Sequence, residues 1–472
     1  MENFPLIIIG AGPTGLGAAW HWHRNSADKC LVLEASDRAG GLSASFTDDV
    51  GFTWDLGSHL QFSHYRYLDD VLASILDDSH WNQHQRSTFV WFGDRFIPYP
   101  FQFNLHHLPE QERWDCVRGL LERPVGPPQR ADFSVWCRSV FGAAITDLFM
   151  RPYNEKLWAC RLEDMTADWI AERVAVPDLA DVLRNLCLSS DQSNWGPNAM
   201  FRYPRRGGAG SVWQAVAAKL PSGSVRYHTE VVSIDAAART VVTGRGERFQ
   251  YGTLLSAVPL PILRQLMQCP ESLRNVNRLR HTRTHIVGVG LNGRAPSSLS
   301  GHCWSYFPQP AIPFYRLTVL SNLSDAVVPT TGRSWSLMAE VTEPDEKTLS
   351  RDEVVNSVIA ALESLHLAAR SEILSVWHRR LPFGYPVPTL DRDVILDETN
   401  AWLESVGVFS RGRFGAWKYE VSNQDHSFMQ GVEFVDRLLH GSVESTLHPR
   451  IIASHSVTAE ESGALSEVTS CG

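Results

Sequence analysis

Between an apolar run, Leu6-Ile7-Ile8-Ile9, and a run of helix-compatible spacing, Leu16–Arg24, the chain carries Gly10-Ala11-Gly12-Pro13-Thr14-Gly15. A continuous β-branched run of this kind is characteristic of a strand buried on both faces of a parallel sheet. Gly10, Gly12 and Gly15 permit a tight turn and a close backbone approach to a pyrophosphate, whose negative charge the N–H groups and dipole of the following helix favour. Leu31-Val32-Leu33-Glu34 reads as a second buried strand ending in an acid. Glu34 is placed to accept hydrogen bonds from the ribose hydroxyls of an adenine dinucleotide, and it would repel a 2′-phosphate there. Strand, turn, helix and acid together predict dinucleotide binding rather than a turn made glycine-rich for geometry alone.

This unit accounts for a small part of 472 residues, a length about three times that of a typical domain. From about Phe62 to Asn198 the pattern is mostly helical, with apolar residues at three-and-four spacing in Asp69–Leu76, Gln111–Leu121, Phe133–Val140, Ala144–Phe149 and Thr166–Val174. From Val225 it shortens to strand-like runs, with later strands expected at His285–Leu291, Trp304–Phe307, Phe314–Val319 and Ser334–Val341, and a helix at Asp352–Leu365. The expected fold is α/β in an α+β layout: a discontinuous Rossmann-like dinucleotide-binding domain with a helical insertion and an antiparallel-sheet domain. The first would comprise residues 1–65, about 205–260 and 405–445. A mostly helical substrate domain would span 66–204, an antiparallel-sheet substrate domain 261–404, and a C-terminal tail 446–472. Flexible breaks are expected at Glu122–Pro128, Arg294–Gly301 and Pro329–Gly332.

Charge excludes several partners. With 43 basic and 52 acidic residues the net charge is −9, which argues against nucleic acid and against a basic membrane-surface patch. An anionic ligand must then be held by a few local arginines. Eight scattered cysteines without a Cys-x-x-Cys pair suggest neither a disulfide framework nor a metal module, and fit a reducing cytoplasm. No apolar segment approaches a membrane span, so no membrane insertion is expected. A monomer and a homo-oligomer are both left open.

Immediately after Glu34 comes Asp37-Arg38-Ala39-Gly40-Gly41-Leu42. The second glycine doublet resembles the FAD-binding pattern of amine oxidases, protoporphyrinogen oxidases and UDP-galactopyranose mutases. Further on, arginine, tyrosine and tryptophan crowd together repeatedly; any one such segment alone reads as core aromatics with a snorkelling arginine. Taken in order from Ile8 to about Val435, they resemble the UDP-galactopyranose mutase family in its eukaryotic-type branch. The motifs are Asp147-Leu148-Phe149-Met150-Arg151-Pro152-Tyr153-Asn154, Asn194–Asn198, and Ser410–Gly431 with Asn423-Gln424-Asp425-His426-Ser427-Phe428-Met429.

The resemblance implies an isomerase that interconverts UDP-galactopyranose and UDP-galactofuranose on reduced FAD. Flavin N5 attacks the anomeric carbon and displaces UDP, with no net redox change, and NAD(P)H is the implied reductant. It assigns the diphosphate to Arg173 and Arg316, and hydroxyl donors to Tyr306, Tyr385 and Tyr419. His59 would lie beside flavin N5 and Arg413 near the flavin, with Arg86, Asn423 and Gln424 contacting flavin or pyrophosphate. Asn198 and Trp304 match sugar-pocket positions. Tyr99, Phe101, Gln102, Phe149, Tyr153, Asn154 and Trp158 match the uridine end. Gly10, Gly12, Gly15, Glu34, Gly40, Gly41 and Leu42 complete the cofactor site, and no metal is implied.

Three residues depart from the pattern: Gln61 stands where an aliphatic residue is expected, Phe103 where a second amide is, and Glu155 where an aromatic is. They leave open the same ring contraction on a GDP- or dTDP-linked sugar. An amine-oxidase-like oxidoreductase is a third reading, although paired arginines have no purpose on a neutral or cationic substrate. A catalytically inert flavoprotein scaffold is disfavoured by the candidate residues present at every matched position.

Overall fold

The computed structural model describes residues 1–124, 132–170, 173–193, 196 and 199–448, and the structural statements that follow concern these. Part of the expected Glu122–Pro128 break, the sugar-pocket candidate Asn198, and all of the expected tail beyond His448 lie outside them.

The apolar run at the start forms β1 (Glu2–Ile9), whose Leu6, Ile7 and Ile8 are fully buried. It pairs in parallel with β2 (Cys30–Leu33) on one side and with Arg248–Ser256 on the other. α1 (Pro13–Asn25) crosses between them. The sheet has seven strands, in the order Val231–Asp235, Thr240–Thr243, Arg248–Ser256, β1, β2 and Val225–Arg226, with Val408–Ser410 paired beside Arg248–Ser256. It is thus assembled from three separated stretches of chain. α1 packs on the long helix Gln424–His440 at a distance only glycine allows: a Cβ on Gly17 would lie 2.2 Å from Phe428 O, and one on Gly431 2.0 Å from Thr14 O. That contact sets the N-terminus of Gln424–His440 beside the glycine turn.

The second sheet also has seven strands, in the order Ile373–Leu381, Arg283–Asn292, Ser334–Glu343, Arg316–Val319, Trp304–Tyr306, Thr88–Phe92 and Arg95–Pro98. All its pairings are antiparallel except Trp304–Tyr306 with Thr88–Phe92. Two of its strands therefore come from the stretch expected to be helical, and Trp81–Gln85 from the same stretch pairs with Met200–Pro204. Thr88-Phe89-Val90-Trp91-Phe92 is a short apolar run without alternation, which periodicity cannot separate from a buried helix.

The helices of the middle stretch are Arg66–Ile75, Glu110–Glu122, Phe133–Ile145, Arg151–Trp158 and Leu179–Leu188. The expected segments Phe133–Val140 and Ala144–Phe149 meet at a kink at Gly142, where φ is 72°. Of the helix expected at Thr166–Val174, residues 171 and 172 lie outside the described residues, and Thr166–Ile170 is not helical: Thr166 N bonds Pro388 O at 2.9 Å, and Phe133 N bonds Met165 O at 2.9 Å. These long-range pairings hold Met165 and Thr166 extended, against the local spacing. No described helix is long and apolar enough to cross a membrane.

Candidate functional site

A cleft of about 630 Å³ is walled by both sheets and by the N-terminus of Gln424–His440. Gly10, Gly12, Glu34, Gly41 and Leu42 line it, and so do His59, Arg173, Trp304, Tyr306, Arg316, Tyr385, Arg413, Tyr419, Asn423 and Gln424. Both diphosphate arginines and all the cofactor candidates except Gly15, Gly40 and Arg86 thus share one cavity.

The dinucleotide part is built for close approach. Gly10 has φ +101°, and a Cβ on Gly15 would lie 1.9 Å from Gly10 O. α1 begins at Gly12 with no side-chain cap, which leaves its first N–H groups to a ligand. Gly40 N donates to Ala11 O at 2.9 Å, tying the second glycine doublet to the first turn. Glu34 braces the same turn, accepting from Ala11 N at 2.7 Å through one oxygen and from Ser36 N at 2.8 Å through the other. A turn open to phosphate, with a carboxylate beside it, fits an adenine dinucleotide.

Arg316 sits on its strand opposite Glu340. Its Nε and Nη2 donate to the two Glu340 oxygens, both at 2.6 Å, and Nη2 also donates to Tyr385 Oη at 3.2 Å. The Tyr315 hydroxyl donates to Glu340 at 2.7 Å. Burial works against the Arg316 charge, but Glu340 holds the guanidinium well above its ordinary value. Burial likewise pushes the Glu340 carboxyl up, and Arg316 overrides it and keeps the carboxyl below the usual range. Sequence reasoning missed Glu340, which is 2% exposed. The signal was an acid inside the apolar strand Leu337-Met338-Ala339-Glu340-Val341.

Arg173 donates to Glu420 O at 2.8 Å and to Asn423 Oδ1 at 3.2 Å, with its guanidinium 4.6 Å above the Tyr419 ring. Arg413 stacks 4.7 Å from the Tyr385 ring and bonds Gly384 O and Ser422 O. Burial lowers the Arg413 guanidinium from its ordinary value. Burial, with Arg413 and Arg316 nearby, lowers the His59 imidazole to about 4 despite Glu340, so it is neutral at pH 7. Its Nε2 is enclosed without a hydrogen-bond partner. Burial raises Tyr306 and Tyr385, which remain protonated donors.

The uridine-end candidates lie behind this wall. Phe101, Gln102, Phe149, Asn154 and Trp158 are buried, with Phe101 and Phe149 stacked at 5.1 Å. Gln102 Nε2 donates to Ala175 O, and its Oε1 has no partner. Tyr99 and Tyr153 are half-buried, and their rings meet Tyr306 at 5.1 and 5.2 Å. Trp158 packs against Tyr419 at 4.8 Å. Arg86 is buried, 5.8 Å from the Tyr99 ring. Two of the three departures have local explanations: Phe103 packs in the helical core, and Glu155 accepts from Arg151 at 2.7 Å. Gln61 is buried with neither amide atom bonded.

A family model for flavin containing amine oxidoreductases matches residues 13–401. A curated 15-cis-phytoene desaturase of Glycine max is 30% identical over 86 residues, 18% of this chain and 15% of that protein. One of Capsicum annuum is 32% identical over 81 residues, 17% and 14% of the two chains, so these matches span a small part of the curated relatives. Among solved structures, a putative protoporphyrinogen oxidase from Exiguobacterium sp. 255-15 shares the fold, with TM-score 0.73, 18% identity and coverage of 93% and 98%. A crystal structure of reduced UDP-galactopyranose mutase matches with TM-score 0.89 and 40% identity, over 94% of this chain and 97% of that one. With the arginines and tyrosines gathered beside the glycine turn, that likeness over nearly the whole of both chains places this chain in the UDP-galactopyranose mutase family, flavin isomerases within the flavin containing amine oxidoreductases.

Proposed function

We propose that the protein contracts the sugar ring of a nucleotide sugar, interconverting UDP-galactopyranose and UDP-galactofuranose. The observation that carries this reading is the set of three arginines, Arg173, Arg316 and Arg413, lining a cleft that also holds the glycine turn. Reduced FAD bound there supplies the nucleophile and an electron pair that is returned unchanged in each cycle. The chain's own residues handle charge. A departing UDP develops negative charge, and fixed guanidinium groups aimed at that position are the largest stabilising effect available to the site. Tyr306, Tyr385 and Tyr419 add hydroxyl donors on stiff rings. His59, neutral at pH 7, can accept a proton through Nε2, or serve through its loop's position beside the flavin. At the base, the unpartnered Gln102 Oε1 is the acceptor for the uracil N3–H, and the half-buried Tyr99 and Tyr153 beside Tyr306 are the rings offered for stacking.

An oxidised preparation is expected to be inactive. After one anaerobic chemical reduction it should turn over many sugars without further reductant, measured by chromatography of UDP-galactose products. NADPH is the expected reductant, docking transiently in the substrate cleft with its pyrophosphate on Arg173 and Arg316, so UDP should compete with it. Product formed one-to-one with NADPH or oxygen consumed would mean an oxidoreductase and end the mutase reading.

Base selectivity has its own expected result. UDP should bind at least about tenfold tighter than GDP, roughly 1.4 kcal/mol, in calorimetric titration. The reverse order would transfer the same chemistry to a GDP-linked sugar and place its cause at Gln61 and Phe103.

A further inference from the structure

One cluster in the molecule has no part in the chemistry above. Asp425 follows Asn423 and Gln424 in the first turn of Gln424–His440, and its carboxylate is 1% exposed. One oxygen accepts from His64 N at 3.1 Å and is 2.6 Å from His64 Nδ1; the other is 3.1 Å from His426 Nδ1. The His64 and His426 rings lie 4.9 Å apart. Burial disfavours this charge, yet His426 and His64 keep the carboxyl well below its usual range, so it is ionised.

His64 closes the loop that begins at Gly57 and carries His59. The same helix turn grips that loop a second time, through Gln424 Nε2 donating to Leu60 O at 3.1 Å. Gln424 is itself fixed by Trp213 Nε1, which donates to its Oε1 at 2.6 Å. Asn423, one residue earlier, accepts from Arg173. Three consecutive residues therefore touch a diphosphate arginine, the middle of the His59 loop and its far end.

We propose that Asp425 is a positioning residue, a carboxylate clamp that fixes the His59 loop against the cleft through His64. A buried ionised carboxylate accepting several N–H bonds is a strong and directional anchor, because each bond is charge-assisted. The trio could also be taken for a metal site, since its ligand atoms lie within 4.8 Å of one another. The bonds from His64 Nδ1 and His426 Nδ1 to the two carboxylate oxygens favour the clamp, because the ring nitrogens that face the carboxylate are already paired with it. The effect on turnover rests on the proposed role of His59; the effect on the loop does not.

The test separates the two. In Asp425→Asn, amide hydrogen exchange across residues 57–64 of the FAD-loaded protein should quicken at least tenfold, while exchange in the Ile373–Leu381 strand stays as in wild type. His64→Asn, whose amide can place an N–H near the position of Nδ1, should keep most of the protection, and His64→Ala should lose it. If the loop loosens but kcat is unchanged, the clamp stands and the assignment of His59 to the chemistry falls. In the mutase reading kcat falls about tenfold or more, the KM for the nucleotide sugar stays within about twofold, and the visible flavin spectrum shifts. Unchanged loop exchange in both Asp425→Asn and His64→Ala overturns the clamp. Stoichiometric zinc uptake by wild type that Asp425→Asn abolishes overturns it too, in favour of a metal site.

Discussion

Arg316→Ala is expected to lower kcat by about 10²–10³-fold, roughly 2.7–4 kcal/mol, with FAD content measured by absorbance unchanged. Glu340 takes the Nε and Nη2 sides of the guanidinium and Tyr385 a second Nη2 hydrogen, which leaves Nη1 to the cleft. The group is held before substrate arrives, so little of its stabilisation is lost to reorganisation as charge develops on the departing diphosphate. Arg173 is held more weakly, by a backbone carbonyl and an amide oxygen, so Arg173→Ala should shift KM more than Arg316→Ala does. Arg316→Lys should recover little, because a compact ammonium lacks the planar fork that holds both Glu340 oxygens through Nε and Nη2 while a third nitrogen remains for phosphate. Near-wild-type turnover in Arg316→Ala, measured with pre-reduced enzyme, would sink the diphosphate assignment.

The parts of the site legible in the sequence are those whose chemistry depends on local spacing. Gly10, Gly12, Gly15 and Glu34 declare themselves within one short stretch, and the structure puts Gly10, Gly12 and Glu34 on the cleft wall with Gly15 packed behind, against Gly10 O. Arg173, Arg316 and Arg413 were found through family motifs, not through periodicity, because they lie on three distant segments that only the fold brings together. Glu340 was missed for a related reason. An acid inside an apolar strand signals a buried partner without naming it, and only the cross-strand register shows that the partner is Arg316. The strand at Thr88–Phe92 was hidden because one pairing partner, Trp304–Tyr306, lies some two hundred residues away, and Arg95–Pro98 joins the sheet only by pairing with Thr88–Phe92 in turn. Thr166–Ile170 erred in the other direction: helical spacing was present, but backbone bonds to Phe133 and Pro388 hold Met165 and Thr166 extended. The uridine-end residues were chosen by motif alone, and the structure adds that most of them are core residues before any base is bound.

Glu340→Leu should destabilise the protein by about 3 kcal/mol, the low end for removing one partner of a buried pair because Arg316 keeps 17% of its side chain exposed. The cost comes from the charge left behind. Arg316 would remain in a low-dielectric cleft with only the Tyr385 hydroxyl as partner, so the double variant Glu340→Leu with Arg316→Met should recover most of the lost stability while remaining inactive. That recovery would not occur if Glu340 acted mainly by filling space. Acid titration gives an independent reading. The folded-state carboxyl lies below its ordinary value of 4.5, so its contribution is fully present above that pH and is lost as pH falls through the lower folded value. The stability difference between wild type and Glu340→Gln, measured by urea unfolding of the FAD-loaded protein, should therefore stay level from pH 8 to about 5 and shrink below about 4.5. A difference that grew on acidification would mean that Glu340 is protonated in the folded protein, and that Arg316 is oriented by something else.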